Sequence, residues 1–196
     1  MMLQLLGKIP RIITIATSGG SDSMAILDFL RKSHTVRSVF VDHGTSTSRD
    51  ARVFVSQYCE THGIPLDVHA IQSSKPRDQS WEEYWRNERL GFFWQYECPV
   101  VTGHNLDDNV ETWLWSSCHG NPKTIPYRNR NIIRPFMLNK KSTLKKWCED
   151  KSVPWIEDES NSDQSYTRNF IRHTMVENAL RVNPGIYKVI AKKIRI

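Results

Sequence analysis

Cysteine is scarce in this chain, and no two cysteines lie close together. The four cysteines include no C-x-x-C pair: Cys59, Cys98, Cys118 and Cys148. Zinc knuckles and the disulfide frameworks of small secreted domains need cysteines at short, regular spacings. The sequence therefore favours neither kind of site, and we expect reduced thiols in a cytoplasmic protein.

Long apolar segments are also missing. No stretch approaches the roughly 20 apolar residues that span a bilayer, and the first ten residues lack the length and flanks of a signal peptide. The sequence shows no internal repeats and no low-complexity segments. We therefore expect no association with a membrane.

Acidic residues are outnumbered by basic ones. The chain has 27 lysines and arginines against 21 aspartates and glutamates, which gives a net charge of +6. A basic balance favours a polyanionic partner such as nucleic acid, although many basic proteins bind none. The charge alone does not decide the partner.

Short β-branched runs alternate with helical patterns along the whole chain. This alternation predicts an α/β fold with a doubly wound parallel sheet. We expect a core over residues 1–140 and a helical extension over 141–196, packed as one compact unit. Strands are predicted over residues 11–17, 36–41, 65–71, 99–102 and 132–134, and helices over 23–32, 49–62, 81–97, 107–118, 142–151 and 166–181.

Chemically notable residues follow three of these strands. They lie in Ser18–Ser23 after the first strand, Asp42–Gly44 after the second and His104–Asp108 after the fourth. Ligands of open α/β sheets bind at the carboxyl ends of the strands. We therefore expect these three segments to meet at one edge of the sheet.

The segment S-G-G-S-D-S joins the first strand to the first helix. Gly19 and Gly20 permit a sharp turn, and the N–H groups of the helix would form an anion site. No lysine follows, so it is not the G-x-x-x-x-G-K-[ST] loop. A turn in which Ser21 or Asp22 simply caps the helix is an equally good interpretation of this segment alone.

This segment resembles the PP-loop of the N-type ATP pyrophosphatases, which split ATP between the α- and β-phosphates. The resemblance implies that backbone N–H groups and the hydroxyls of Ser18, Ser21 and Ser23 hold pyrophosphate. Asp22 would position ATP through Mg²⁺, since a carboxylate–Mg²⁺–phosphate bridge removes the repulsion between like charges.

Further motifs resemble those of tRNA(Ile)-lysidine synthetases, in the order of that family. Together they cover roughly residues 11–180. They are V-D-H-G (41–44), E-x-x-x-R-x-x-R (82–89), G-H-N-L-D-D-N-V-E-T (103–112), R-P-F (134–136), W-I-E-D-E-S-N (155–161) and Y-x-R-N-F-I-R (166–172).

The resemblance implies a ligase that adenylates O2 of the wobble cytidine in a tRNA with a CAU anticodon. The ε-amine of free L-lysine then displaces AMP, which gives lysidine. The implied cofactors are ATP and Mg²⁺, and the partners are tRNA and free lysine.

The resemblance also assigns roles to residues. Asp22, Asp108, Glu111 and Arg172 would be catalytic, and Asp108 and Glu111, three apart on one helix face, would hold the cationic lysine. Without the family, we would favour both as acids that complement the helix dipole, and Asp107 as a cap. The other nucleotide-binding candidates are Asp42, His43, Arg86, His104 and Arg168.

The arginines also have simpler interpretations. Arg86 could form a helical i,i+4 pair with Glu82, and Arg168 and Arg172 could lie on a solvated helix face near Asp163 and Glu177. His43 and His104 are interpreted as strand-end residues near the nucleotide, not as metal ligands.

The chain departs from the family over residues 118–127, where the family has R-G-x-G-x-x-G-L and this sequence is shorter. Many members of the family carry further C-terminal domains that hold the tRNA. We expect basic residues of this chain to make the tRNA contacts instead, and a homodimer or a partner protein to supply additional ones. We interpret Trp81, Trp85, Trp113 and Trp115 as packing residues. The candidate tRNA contacts are Lys123, Arg128, Arg130, Lys192 and Lys193.

Two other functions are compatible with the residues. One is another PP-loop tRNA modification such as thiolation, for which Cys118 would be the thiol nearest the site. The other is a tRNA-binding domain without turnover.

Overall fold

The described part of the chain forms a sheet of six strands in the order β3-β2-β1-β4-β6-β5, in which β5 is antiparallel to its neighbour and the other pairs are parallel. A computed structural model describes residues 3–71, 75–157 and 167–194, without the side chain of residue 82. The predicted doubly wound α/β fold is confirmed. The strands are β1 (Ile12–Ala16), β2 (Thr35–Asp42), β3 (Leu66–Ala70), β4 (Val100–Val101), β5 (Arg128–Asn129) and β6 (Ile132–Ile133).

Helices cover both faces of the sheet and extend past it. The predicted helices are present, and the last of them contains a π-helical turn at Ile171–Met175. They are α1 (Ser21–Arg31), α2 (Ser46–Thr61), α3 (Trp81–Phe93), α4 (Leu106–Cys118), α5 (Lys141–Lys151), α6 (Thr167–Phe170), α7 (Val176–Val182) and α8 (Ile186–Ala191).

The structure differs from the sequence-based expectations at three places. The short strand β5 was not expected, because two residues carry no detectable periodicity. Helix α3 ends at Phe93 rather than at residue 97, and Asn131 Nδ2 donates to the carbonyls of Phe93 and Tyr96 at 2.8 Å each. Helix α8 was also missed.

The central strands β1 and β4 have continuous apolar sequences because both of their faces are buried in the core. Ile13 and Ile15 of β1 are at most 1 % exposed, and Val100 and Val101 of β4 are fully buried. A strand in the middle of a parallel sheet is covered on both faces, so its sequence need not alternate. The chain moves from β1 outward through β2 and β3, then returns to β4 on the other side of β1. The ends of β1 and β4 therefore form a topological switch point, where open α/β sheets bind ligands.

Helix α5 packs on α1 through a buried carboxylate. Asp28 of α1 accepts from Trp147 Nε1 at 3.0 Å and from Lys32 and Arg31 at 2.7 and 2.8 Å. Burial favours the neutral acid, but these hydrogen bonds outweigh it and hold the pKa of Asp28 below its usual value.

The division of the chain at residue 140 stays a prediction. None of the helices in the described ranges is long and apolar enough to cross a membrane.

Candidate active site at the switch point

The glycine turn after β1 leaves the N-terminus of α1 without a side-chain cap. The N-cap residue is Gly20, so the interpretation that Ser21 or Asp22 caps the helix is wrong. Ser23 braces the turn instead, since its Oγ donates to Gly20 O at 3.0 Å and accepts from Ser18 N at 3.1 Å. Because no side chain occupies the first N–H groups of α1, the turn suits an anionic ligand.

Gly19 is the position of this turn that most requires glycine. Its φ is +84°, and a Cβ there would lie 3.1 Å from Ile156 Cδ1. The carbonyl of Gly19 also accepts from Ile156 N at 3.0 Å. The turn is therefore held against the segment that follows α5.

Gly19→Ala should destabilise the protein, whereas Gly20→Ala should be tolerated better. An L-residue in the left-handed region costs about 1–2 kcal/mol, and the new methyl group would crowd Ile156. Gly20 has φ −73°, and its nearest neighbour would lie 3.6 Å from a new Cβ. Urea unfolding of both variants measures the difference, and equal losses would contradict the conformational argument.

Asp22 lies in the first turn of α1 and faces the loop after β4. Its Oδ2 accepts from Asn105 Nδ2 at 3.2 Å. Its Oδ1 is buried and has no hydrogen-bond partner among the described residues. Burial raises the pKa of Asp22 to about 7, Lys141 opposes this rise, and Asp108 and Asp107 add to it.

This orphaned carboxylate oxygen fits a divalent cation that is shared with a phosphate. Mg²⁺ typically takes one or two carboxylates and completes its shell with water and phosphate oxygens. In the parts of the chain that the structure describes, no group of three or more His, Cys, Asp or Glu residues could hold a metal. Asp22 would supply one of these carboxylates, and the phosphates of a nucleotide would supply further oxygens.

Two acids of α4 pair with two arginines from the C-terminal helices. Arg168 contacts Asp108 Oδ1 at 2.6 Å and Glu111 Oε2 at 3.0 Å, and Arg172 Nε contacts Glu111 Oε1 at 2.7 Å. Glu111 is 4 % exposed, and the two arginines are the partners that offset the desolvation of a carboxylate at such a buried position. We call these four residues the acid–arginine quartet.

The quartet joins residues that the sequence placed in two separate motifs. Both arginines reach across to α4, although half of the Arg168 side chain stays exposed, as the solvated-face interpretation expected. Glu177 lies near Arg181. Arg172 falls in the π-helical turn, a feature often found at functional sites. Asp163 and residues 158–161 and 166 of the matched motifs lie outside the described residues.

Asp108 also forms the beginning of α4. Asn105 and Asp108 make a reciprocal capping box, with Asp108 N donating to Asn105 Oδ1 at 3.1 Å and Asn105 N donating to Asp108 Oδ2 at 2.9 Å. Asp108 was expected to complement the dipole of α4; it also closes this capping box and takes part in the quartet. Asp107 does not cap: it accepts from Lys141 N and Tyr187 Oη.

Asp42 and His43 hold the turn after β2. Asp42 Oδ1 accepts from Gly44 N at 2.9 Å and Ser48 Oγ at 2.8 Å. Burial raises the pKa of Asp42, but these bonds and the Arg52 charge outweigh it, so the pKa is lowered. His43 packs against Trp85, and burial lowers its pKa to about 4, so its imidazole is neutral.

His104 is neutral as well, and it lies in a basic neighbourhood. Its Nδ1 is 2.8 Å from Thr102 Oγ1. Burial lowers its pKa well below the usual value, and the charges of Arg134, Arg168 and Arg86 lower it further. Arg86 is exposed on α3, and its predicted pair with Glu82 lies outside the described side chains.

Sequence reasoning missed Asn105, Lys141 and Tyr187. Asn105 could have been found, because an Asn three residues before an Asp at the start of a helix is a capping pattern. Lys141 and Tyr187 carry no such signal, since α5 and α8 bring them to this edge from distant parts of the sequence.

The predicted tRNA contacts fall into two places. Lys123, Arg128, Lys192 and Lys193 line an open groove beside α4. Arg130 instead stacks its guanidinium on the Trp94 ring, 3.8 Å from the centroid. The four cysteines are free thiols, and Cys118 is exposed at the end of α4.

Comparison with known families gives a match over nearly the whole chain. Residues 2–179 match the family model described as a PP-loop domain. Two curated relatives are both tRNA(Ile)-lysidine synthases. The protein from Thermotoga sp. (strain RQ2) is 28 % identical over 94 % of this chain and 49 % of the relative, and that from Shigella flexneri is 32 % identical over 85 % and 42 %. The chain thus spans about half the length of these relatives.

Solved structures share the fold at low sequence identity. The NH3-dependent NAD synthetase from Campylobacter jejuni superposes with a TM-score of 0.55 at 14 % identity, over 94 % of this chain and 83 % of that protein. The NMN synthetase from Francisella tularensis gives 0.50 at 16 % identity, over 94 % and 78 %. These similarities support the fold.

Proposed function

Because the chain belongs to the PP-loop domain family, we propose that it is the catalytic domain of a tRNA(Ile)-lysidine synthetase. It would use ATP and Mg²⁺ to activate a wobble cytidine of tRNA and join free lysine to it. The observation that carries the proposal is the position of Asp22 between the uncapped N-terminus of α1 and Asn105. Asn105 also caps α4, so it connects this carboxylate to the acid–arginine quartet.

The first step is adenylation. The O2 atom of cytidine attacks the α-phosphate, the bond to the β-phosphate breaks, and pyrophosphate leaves. The N–H groups of α1 and the exposed Ser18 hydroxyl would hold that pyrophosphate. Asp22 would bind Mg²⁺, which neutralises phosphate charge. The arginines of the quartet would stabilise charge on the α-phosphate.

The second step is attack by lysine. Its ε-amine attacks carbon 2 of the base, the bond from carbon 2 to the adenylate oxygen breaks, and AMP leaves. The attacking amine loses a proton as the new bond forms. Asp108 and Glu111 would hold the cationic substrate and accept this proton once the arginines shift toward phosphate.

The direct test is a labelling reaction. The chain is incubated with ATP, Mg²⁺, radiolabelled lysine and an unmodified tRNA transcript bearing CAU, and label in the tRNA and AMP are both measured. We expect label that disappears when the wobble cytidine is changed. AMP without label would contradict lysine as the nucleophile and favour another modification. Retention of tRNA without AMP would favour a binding domain without turnover.

A further inference from the structure

An open groove of about 910 Å³ lies on the side of α4 away from the acid–arginine quartet. Its walls are α4, the loop over residues 122–128 and α8. Residues 111 and 113 point about 200° apart around a helix, so Trp113 faces the groove while Glu111 faces the quartet. The width of α4, about 10 Å with side chains, therefore separates the groove from the quartet.

Among the residues that the structure describes, four cations and no acid line the groove. Lys123, Arg128, Lys192 and Lys193 contribute the charges, and the remaining lining residues are neutral. Lys193 Nζ lies 4.7 Å from the centre of the Trp113 ring, so an aromatic contact holds this ammonium in place. Four like charges along one groove repel one another, and a polyanion along the groove would relieve that repulsion.

The loop wall is fixed to the helix that carries the quartet. The fully buried Asn109 accepts from Ile125 N at 3.0 Å through Oδ1, and Ser116 Oγ accepts from Lys123 N at 2.9 Å. Asn109 follows Asp108 directly in the sequence. The groove is therefore preformed and positioned relative to the quartet, although the loop departs from the family pattern.

We propose that this groove binds the unpaired RNA strand next to the reacting base, with its cations on the phosphates and Trp113 on a base. Unpaired RNA is recognised through basic grooves with aromatic side chains. Trp113 therefore has a surface role besides the packing expected from the sequence. The inference rests on the proposed function, because it takes the RNA to be the tRNA substrate.

Reversal of one groove charge tests this assignment. Lys193→Glu is compared with Lys146→Glu, which makes the same charge change on the exposed face of α5, where Lys146 pairs with Asp150. The probes are the CAU transcript, its anticodon stem-loop, and the same stem fully paired. We expect Lys193→Glu to weaken stem-loop binding about tenfold at low salt and to lower the salt slope by about 0.7–1. Lys146→Glu should match the wild type.

Two further measurements separate the groove from the chemistry. In the labelling reaction, Lys193→Glu should raise KM for tRNA and leave kcat at saturating tRNA unchanged, and near-ultraviolet circular dichroism checks its fold. If Lys193→Glu binds the stem-loop as tightly as Lys146→Glu does, the assignment of the groove to RNA is wrong, even if lysidine still forms. Wild-type protein that prefers the paired stem would also overturn it. Stem-loop binding that depends on Lys193, without any lysine transfer, would leave the groove standing and contradict only the proposed function.

Discussion

Asp22→Asn is expected to stabilise the fold at pH 8 and to slow adenylation by at least about 100-fold. The two effects have one cause, the burial of a carboxylate whose Oδ1 has no partner among the described residues. Asparagine keeps the shape and can still contact Asn105. It removes the negative charge that Mg²⁺ and the phosphates of ATP would need.

The stability difference should depend on pH with a defined sign. Burial raises the pKa of Asp22 from 3.8 to about 7. Between these values the folded state binds more protons than the unfolded state, so the free energy of unfolding falls as pH rises. The asparagine variant has no carboxylate at this position, so its free energy of unfolding does not fall for this reason. Its advantage should be absent below pH 4, grow between pH 4 and 7, and be complete above pH 7.

Nucleotide binding should show the opposite dependence. The wild type should bind Mg²⁺–ATP more weakly as pH falls from 8 to 6, because the metal requires the ionised carboxylate. Asp22→Asn should bind it weakly at both values. Urea unfolding and calorimetric titration with Mg²⁺–ATP measure the two effects, and Asp50→Asn on the exposed surface of α2 is the control. A variant that is less stable than the wild type at pH 8, or that turns over normally, would contradict this assignment.

Glu111→Gln is expected to lower kcat/KM for lysine by at least about 100-fold, or roughly 2.7 kcal/mol. Glu111 is the buried carboxylate that accepts hydrogen bonds from both arginines of the quartet. Glutamine keeps its size but neither balances a cationic substrate nor accepts a proton from the attacking amine. Arg168 would retain Asp108 as a partner, at 2.6 Å.

The two steps can be separated in a single turnover. Pyrophosphate released without lysine reports adenylation, and labelled lysine in tRNA reports the second step. Glu111→Gln should impair the second step more than the first, whereas Glu177→Gln, an exposed change on α7, should affect neither. Equal loss in both steps would show that Glu111 mainly positions Arg168 and Arg172 for adenylation.

The quartet shows where sequence reasoning was sufficient and where it stopped. The spacing of Asp108 and Glu111 predicted one helix face, and the spacing of Arg168 and Arg172 predicted another, because helical periodicity is local. Their pairing depends on how the C-terminal helices pack against α4, and no local pattern encodes that contact. For the same reason the partners of Asp107 were not predicted.

The sequence by itself determined the alternation of strands and helices, the glycine turn after β1, and the position of three motifs at the carboxyl ends of adjacent parallel strands. These follow from residue periodicity, from the conformational freedom of glycine, and from the fixed direction of parallel strands. Only the tertiary structure decided which oxygen of Asp22 is left without a partner, which acids and arginines pair, and that Trp113 and four cations form one groove. Those features depend on burial and on side chains from distant segments, since desolvation and ion pairing act through space and not along the chain.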